Sequence, residues 1–238
     1  ALSSAASDVY KRQEDDSILM VNKPKGMVVH PSAGHYTGTL VNAVLWHCQG
    51  QLSGINGVSR PGIVHRIDKD TSGLVLAAQN GYVAPLLAGR VEKLYYAVVE
   101  GELPLGPGVI DAPIGRQGGS IIGRCVTPDG KPSRTEYTIL KAENGLSLAA
   151  CVPVTGRTHQ IRVHFASIGH PLAGDDLYGG SRARIGRQAL HCARQTFRVP
   201  RCETLEDGIC IEAPVDETTL RTVTVESPLH ADMAQFFR

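Results

Sequence analysis

No apolar run in this chain approaches the roughly 20 residues of a membrane span, and the opening ALSSAASDVYKRQEDD lacks the apolar core of a secretory signal. A cytoplasmic protein with no membrane attachment is expected. The six cysteines, Cys48, Cys125, Cys151, Cys192, Cys202 and Cys210, include no C-x-x-C pair, and several sit inside apolar runs. Reduced, packed thiols are expected from them, with neither a zinc site nor a disulfide framework. The sequence carries no internal repeat, no low-complexity linker and no glycine-rich phosphate loop. Net charge is nearly absent too, at +1.

That small total hides an asymmetry. From Arg157 to Arg201 there are eight arginines against two acids, Asp175 and Asp176, a local +6; from Cys202 to Arg238, eight acids face two arginines, a local −6. Every basic residue of the first stretch is arginine, the side chain whose planar fork suits phosphate contacts and base stacking. A solvated basic face is the simpler reading of the same residues. At 238 residues, 42% hydrophobic and 20% charged, the chain is an ordinary globular one able to bury a substantial core. Residues 1–13 look foreign to the rest of the chain and read as a non-native or disordered leader, leaving 14–238 for the fold.

Along the chain, SILMVNKP reads as a strand ended by Pro24 and GMVVHP as a short second one. TLVNAVLWHC has helical spacing, with Thr37 or Thr39 near its cap. GIVHRI, GLVLAAQ, KLYYAVVEG, SRTEYTILKA and LSLAACVPVT continue as strands between Gly- and Pro-rich turns. The period then changes: Ile161, Phe165 and Ile168 predict a helix over 158–168, stopped by Gly169 and Pro171. ALHCARQTFRV and LRTVTVESP return to strands, and LHADMAQFFR reads as a closing helix. Many strands, few helices and no regular βαβ alternation predict an α+β fold: a mostly antiparallel, mixed β-sheet with flanking helices.

The run HRIDKDTSG, residues 65–73, concentrates the polar chemistry. As a calcium loop opening at Asp68 it would need a bidentate acid at position twelve, where Gln79 stands, and helices on both sides, where short β-like runs stand. A plain turn explains DTSG but not His65 and Arg66. If the segment is extended, Arg66 and Asp68 share a face, and an arginine beside a carboxylate favours its ionised form.

HRIDKDTSGLVLAAQN resembles the H-R-L-D-x-x-T-S-G-L signature of the RluA-type pseudouridine synthases. The segments VNKPKGMVVHPSAGHYTGTLVNAVLWHC, LSGINGVSRPGIVHRIDKDTSG, DAPIGR, TPDGKPSRTEY, TGRTHQIRVHFASIGHPLAGDDLYG and ESPLHADM resemble that family in its order, from about Asp16 to the C-terminus. Among its members the RluD-like enzymes of large-subunit ribosomal RNA are the most similar. No N-terminal S4-type RNA-binding domain is visible in the sequence, so 14–238 reads as the catalytic domain. Ile67 replaces the usual leucine and Gln79 a frequent lysine.

The resemblance implies a reaction that breaks the C1′–N1 bond of a uridine, turns the uracil and rejoins it through C5, with no redox cofactor and no metal. It implies Asp68 as nucleophile or base at the sugar. It implies Arg162 as the arginine that orients this aspartate and keeps it charged, and Tyr95 as the aromatic that stacks on the uracil and assists proton loss from C5. Tyr96 would point to the opposite face of the strand. Read without the family, Arg162 is a surface helix residue and the tyrosines are sheet core.

A stacked uridine must be turned out of its helix, at a cost of a few kcal/mol. Arg66 is a candidate to fill the vacated space. Arg157 and Thr158, at the predicted helix start, are candidates for phosphate contact, and Arg182, Arg184 and Arg187 extend the RNA track. His159 and His164, five apart, face away from each other and make a poor metal pair; His65 is read as structural. The expected partner is RNA, with a monomeric protein. The rivals are a silent RNA-binding module on the same fold, a transfer RNA enzyme of the family, and a hydrolase using Asp68 with Asp70.

Overall fold

The computed structural model describes residues 11–15, 17–32, 34–48, 62–200, 203–204, 210–211 and 220–237. Along them run β1 (Lys11–Glu14), β2 (Ile18–Lys23), α1 (Leu40–His47), β3 (Ser72–Ala78), α2 (Val83–Leu87), β4 (Glu92–Glu100), β5 (Gly106–Asp111), β6 (Ile114–Arg116) and β7 (Arg124–Val126). Next come β8 (Arg134–Glu143), β9 (Leu146–Pro153), α3 (Gln160–Ser167), β10 (Leu190–Pro200), β11 (Glu203–Thr204), β12 (Cys210–Ile211), β13 (Leu220–Glu226) and α4 (Ala231–Ala234). The pairs β1–β2, β2–β3, β4–β9, β8–β9, β5–β8, β6–β7, β10–β13 and β11–β12 are all antiparallel. The α+β expectation holds. The chain divides into two compact units, Ala1–Glu92 with Arg194–Ser227, and Lys93–Ala193 with Pro228–Arg238.

In the first unit the strand order is β1–β2–β3–β10, and β13 pairs with β10. All seven residues of β3 and five of the six in β2 are buried. Strands covered on both faces read as continuous apolar runs, which is why ILMV and LVLAA lack alternation. Their register, Ile18↔Ala78 to Lys23↔Gly73, sets Lys23 beside the start of β3. Helix α1 begins with a reciprocal cap: Asn42 N–H donates to Thr39 Oγ1 at 3.3 Å and Thr39 N–H to Asn42 Oδ1 at 3.0 Å.

In the second unit the order is β4–β9–β8–β5, with β6 and β7 as a separate hairpin. Its core gathers Val98, Leu146, Ala173, Ile185, Ala189 and Met233, with Tyr96 and Phe236 packed against it. β8 alternates between buried and open positions, the pattern of a strand with one wet face. Helix α3 packs on β7, β8 and β9 and on a 3-10 turn at Asp176–Tyr178.

Several expectations are corrected. GMVVHP is not a strand, because the Val28 and Val29 carbonyls accept the first N–H groups of α1, from Leu40 and Val41. GIVHRI meets β3 through the Ile63↔Ala77 bridge, Val64 N–H to Leu76 O and Leu76 N–H to His65 Nε2, then runs on without a ladder. The helix expected over 158–168 begins at Gln160, because His159 adopts a left-handed φ of 58° that no α-helix continues. The closing helix is a short α4 followed by a 3-10 turn at Gln235–Phe237. Strands β5, β6 and β7 lie in a stretch whose Gly and Pro content reads as turns. Of the expected leader, residues 1–10 lie outside the described residues, while Lys11–Glu14 form β1. Residues 52–61 of the LSGINGVSRPGIVHRIDKDTSG segment, Arg201, and the cysteine Cys202 also lie outside them.

Candidate active site

Asp68 ends the extended segment that leads into β3. Ile67 is buried at 6% exposure while Arg66 is exposed and Asp68 half-buried, so the two polar residues do share the outward face. A turn follows at Lys69–Asp70, closed by Thr71 N–H to Asp68 O at 3.2 Å, and Thr71 and Ser72 are buried as β3 begins. The turn is tied from below by Lys23, which is fully buried. Its ammonium donates to the Pro24, Met27 and Lys69 carbonyls at 2.8, 2.8 and 2.9 Å. His65 is bound at the other end, Nε2 to Gln195 Oε1 at 3.0 Å, and Gln195 Nε2 donates to Leu74 O at 2.7 Å. The Leu76 N–H also donates to His65 Nε2, at 3.3 Å.

Tyr95 lies on β4, buried and opposite Cys151 of β9, while Tyr96 faces the other side among the core residues of its unit. The alternation expected for the two tyrosines is present. Lys93, two residues before, shares the Tyr95 face. Burial pushes the Lys93 ammonium below its ordinary range, against a smaller opposing influence of Cys192.

Arg162 sits on α3 with 6% of its surface exposed. Asp175 grips it in a fork, Nε to Oδ2 at 2.6 Å and Nη2 to Oδ1 at 2.8 Å, and Asp175 is itself 1% exposed. The guanidinium lies over the Tyr178 ring at 5.0 Å. The Tyr178 hydroxyl meets His159 Nδ1 at 2.6 Å and accepts the Arg124 N–H at 3.1 Å. A buried guanidinium fixed in plane by a carboxylate and a ring is a preorganised positive charge, suited to holding a reacting anion in place.

A family model described as RNA pseudouridylate synthase matches residues 17–167. The chain belongs to the RNA pseudouridylate synthase family. An uncharacterised RNA pseudouridine synthase of Bacillus subtilis is 46% identical over 234 residues, 96% of this chain and 71% of that protein. A ribosomal large subunit pseudouridine synthase D of Zymomonas mobilis is 46% identical over 203 residues, 79% of this chain and 64% of that one. One of the same name from Pseudomonas aeruginosa is 46% identical over 190 residues, 78% of this chain and 58% of its length. The chain thus spans under two thirds of both. Among solved structures, human RNA pseudouridylate synthase domain containing 1 superposes with a TM-score of 0.64 at 25% identity, over 95% of this chain and 93% of that one.

For a pseudouridylate synthase, the expected RNA-contact residues divide into open and closed ones. Arg66, Arg157, Thr158, Arg182 and Arg184 are exposed. Arg157 Nε donates to Pro132 O, Arg182 pairs with Asp176, and Arg184 donates to Asn144 O. Arg187 is a correction: it is buried at 5% exposure, forks onto Asp232 at 2.8 and 2.9 Å and donates to the Gln188 and Leu190 carbonyls, so it offers RNA no surface. At the start of α3 the Arg157 N–H donates to Gln160 Oε1 at 3.1 Å. Among the described residues no group of three His, Cys, Asp or Glu side chains could hold a metal, and no helix is long and apolar enough to cross a membrane.

Sequence reasoning passed over Lys23, Asp175 and Tyr178. The signal for Asp175 was present: a lone acidic pair inside an Arg-rich segment invites the question of which arginine it neutralises. Lys23 in VNKP showed none, because a lysine at a strand end reads as solvated until its burial is known.

Proposed function

We propose that this protein isomerises specific uridines of structured RNA to pseudouridine, and that the RNA is large-subunit ribosomal RNA. Residues 14–238 act as one catalytic domain, in a cytoplasmic monomer. The observation that carries the reading is Asp68: a half-exposed carboxylate on a turn pinned by Thr71 and by the buried ammonium of Lys23, inside the segment that matches the family. The names of the Zymomonas and Pseudomonas relatives support the choice of RNA.

In this reaction the glycosidic C1′–N1 bond breaks, the uracil turns, and C1′ bonds to C5. The C5 proton leaves and N1 regains one, so electrons balance within the nucleoside. Asp68 is the essential carboxylate, as nucleophile at C1′ or as base at the sugar. Arg162 orients it and keeps it ionised, a task suited to a guanidinium already locked by Asp175. Tyr95 stacks on the uracil, which contributes about 1–3 kcal/mol toward holding the base outside its helix. Arg66, exposed beside Asp68, occupies the space that the base leaves. The exposed Arg157, Thr158, Arg182 and Arg184 contact the RNA backbone.

The test is Asp68→Asn, which keeps the shape and removes the charge. Pseudouridine formation in protein-free ribosomal RNA transcripts is expected to fall below detection while RNA binding persists. Isomerisation at the wild-type rate would sink the mechanism, release of free uracil would indicate a hydrolase, and modification of transfer RNA alone would move the substrate.

A further inference from the structure

The β6–β7 hairpin carries two adjacent isoleucines that the reaction does not use. Ile121 is 87% exposed and Ile122 60% exposed, among the most open apolar side chains described. Leaving such a pair in water is unfavourable unless something covers it. The tip that displays them is ordered. Gln117 N–H donates to Gly123 O and Ser120 N–H to Gln117 O, while Gly123 N–H donates to Ser120 Oγ at 2.8 Å. A Cβ on Gly123 would lie 2.4 Å from Gln117 Oε1 and 2.8 Å from Ser120 Oγ, so the tip closes tightly there. Arg124 clamps it further, donating to the Ile122 and Gly123 carbonyls at 3.1 and 2.8 Å.

Two features say what covers the pair. The first is charge: Arg116 and Arg124 stand opposite each other at the base of the tip, and the segment 112–133 has three cations, Arg116, Arg124 and Lys131, against one acid, Asp129. The second is attachment. The Arg124 N–H is bonded to the Tyr178 hydroxyl, and the Tyr178 ring lies under Arg162. The hairpin is therefore fastened to the cluster that holds Arg162, and its apolar tip is two and three residues from that bond. An apolar point set on a cationic base matches a strand of RNA whose unpaired bases are exposed, where phosphates meet the arginines and base faces meet the isoleucines.

Resting on the functional reading above, we infer that the tip of the β6–β7 hairpin is an RNA-contact element: Ile121 and Ile122 pack on unpaired bases next to the extruded uridine, with Arg116 on the neighbouring phosphate. The contact selects RNA that is already opened at the target and helps keep it so.

The experiment compares wild type, the double variant Ile121→Asn/Ile122→Asn and Arg116→Ala on a protein-free transcript of large-subunit ribosomal RNA, by filter binding over a salt series, with thermal melts as the folding control. All three positions are exposed, so the variants are expected to melt with wild type. The double variant is expected to bind at least about tenfold more weakly, as lost apolar burial dictates, with the slope of log Kd against log salt unchanged. Arg116→Ala is expected to reduce that slope, by about one for a single lost phosphate contact. Unchanged affinity of the double variant at every salt would overturn the inference and leave the patch to a protein partner. A loss that appears only as a changed slope would overturn it too. Because the readout is binding, it is scored whether or not wild type isomerises the transcript; failure of wild type to form pseudouridine would sink the functional reading alone.

Discussion

Asp68 and Arg162 are held in place by opposite means. The carboxylate is positioned through main chain: the Thr71 N–H closes the turn after it, and the Lys23 ammonium gathers three carbonyls, one of them from Lys69. The guanidinium is positioned through side chains: the Asp175 fork, the Tyr178 ring, and His159 behind the Tyr178 hydroxyl. A carboxylate proposed to react gains from a rigid backbone behind it. A charge that must stay fixed gains from buried partners that define its plane. The difference predicts which neighbours are expensive to lose and in what currency the loss appears.

The largest effect is expected on the arginine side. Asp175→Ala removes one partner of a buried ion pair, a change that costs about 3–5 kcal/mol. A large fall in melting temperature and loss of pseudouridine formation are expected together. The double variant Arg162→Met/Asp175→Leu separates the two, since an apolar pair of similar volume restores much of the stability. It is expected to melt near wild type and to remain inactive. Recovery of activity in that protein would mean that Arg162 serves only the fold.

On the carboxylate side the expected loss is smaller in stability and sharper in rate. Lys23→Met keeps the volume of the buried side chain and withdraws the donor from three carbonyls, a loss offset in part because no unpaired buried charge remains. The turn at Lys69 loses its tether, and a shift of about 1 Å at Asp68 is enough for a hundredfold loss in kcat. Affinity for RNA is expected to stay near wild type. A weakened Kd with unchanged kcat would show that Lys23 supports the RNA surface and not Asp68.

This contrast also explains what was legible in the sequence. The outward face shared by Arg66 and Asp68, the opposite faces of Tyr95 and Tyr96, and the strands through ILMV and LVLAA come from a period of two, which a sequence displays directly. The Thr39 cap and the turn after Asp68 are local chemistry within four residues, legible for the same reason. What was not legible depends on long-range partners. Arg187 reads as one more cation of an Arg-rich track, and only the fold brings Asp232, 45 residues on, to neutralise it. The start of α3 was misplaced for a related reason. Gln160 makes its cap bonds to Arg157 N–H and Thr155 Oγ1 while His159 turns left-handed, a conformation that costs about 1–3 kcal/mol and that only a minority of histidines adopt.

His164 carries the smallest predicted effect, and a clean one, because its surroundings define its protonation. It is fully buried, with Nε2 at 3.0 Å from Ala112 O and Nδ1 at 2.8 Å from Thr135 Oγ1, which in turn accepts Gln160 Nε2–H. The carbonyl requires Nε2 to be the donor, so Nδ1 accepts the Thr135 hydroxyl proton and the ring is neutral. Burial lowers its pKa from 6.5, against the weaker opposing pull of the Ala112 carbonyl and of Asp111. Above about pH 6.5 neither the folded nor the unfolded His164 binds a proton, and the residue adds no pH dependence. As pH falls through that value the unfolded chain takes up a proton that the folded one refuses, so stability falls, by at most about 1.4 kcal/mol per pH unit, until the lower folded value is reached. Chemical denaturation at a series of pH values below 7 is expected to show a shallower decline for His164→Gln than for wild type. Parallel declines would mean that the buried imidazole is protonated in the fold and that the chain from Gln160 through Thr135 runs in the opposite sense.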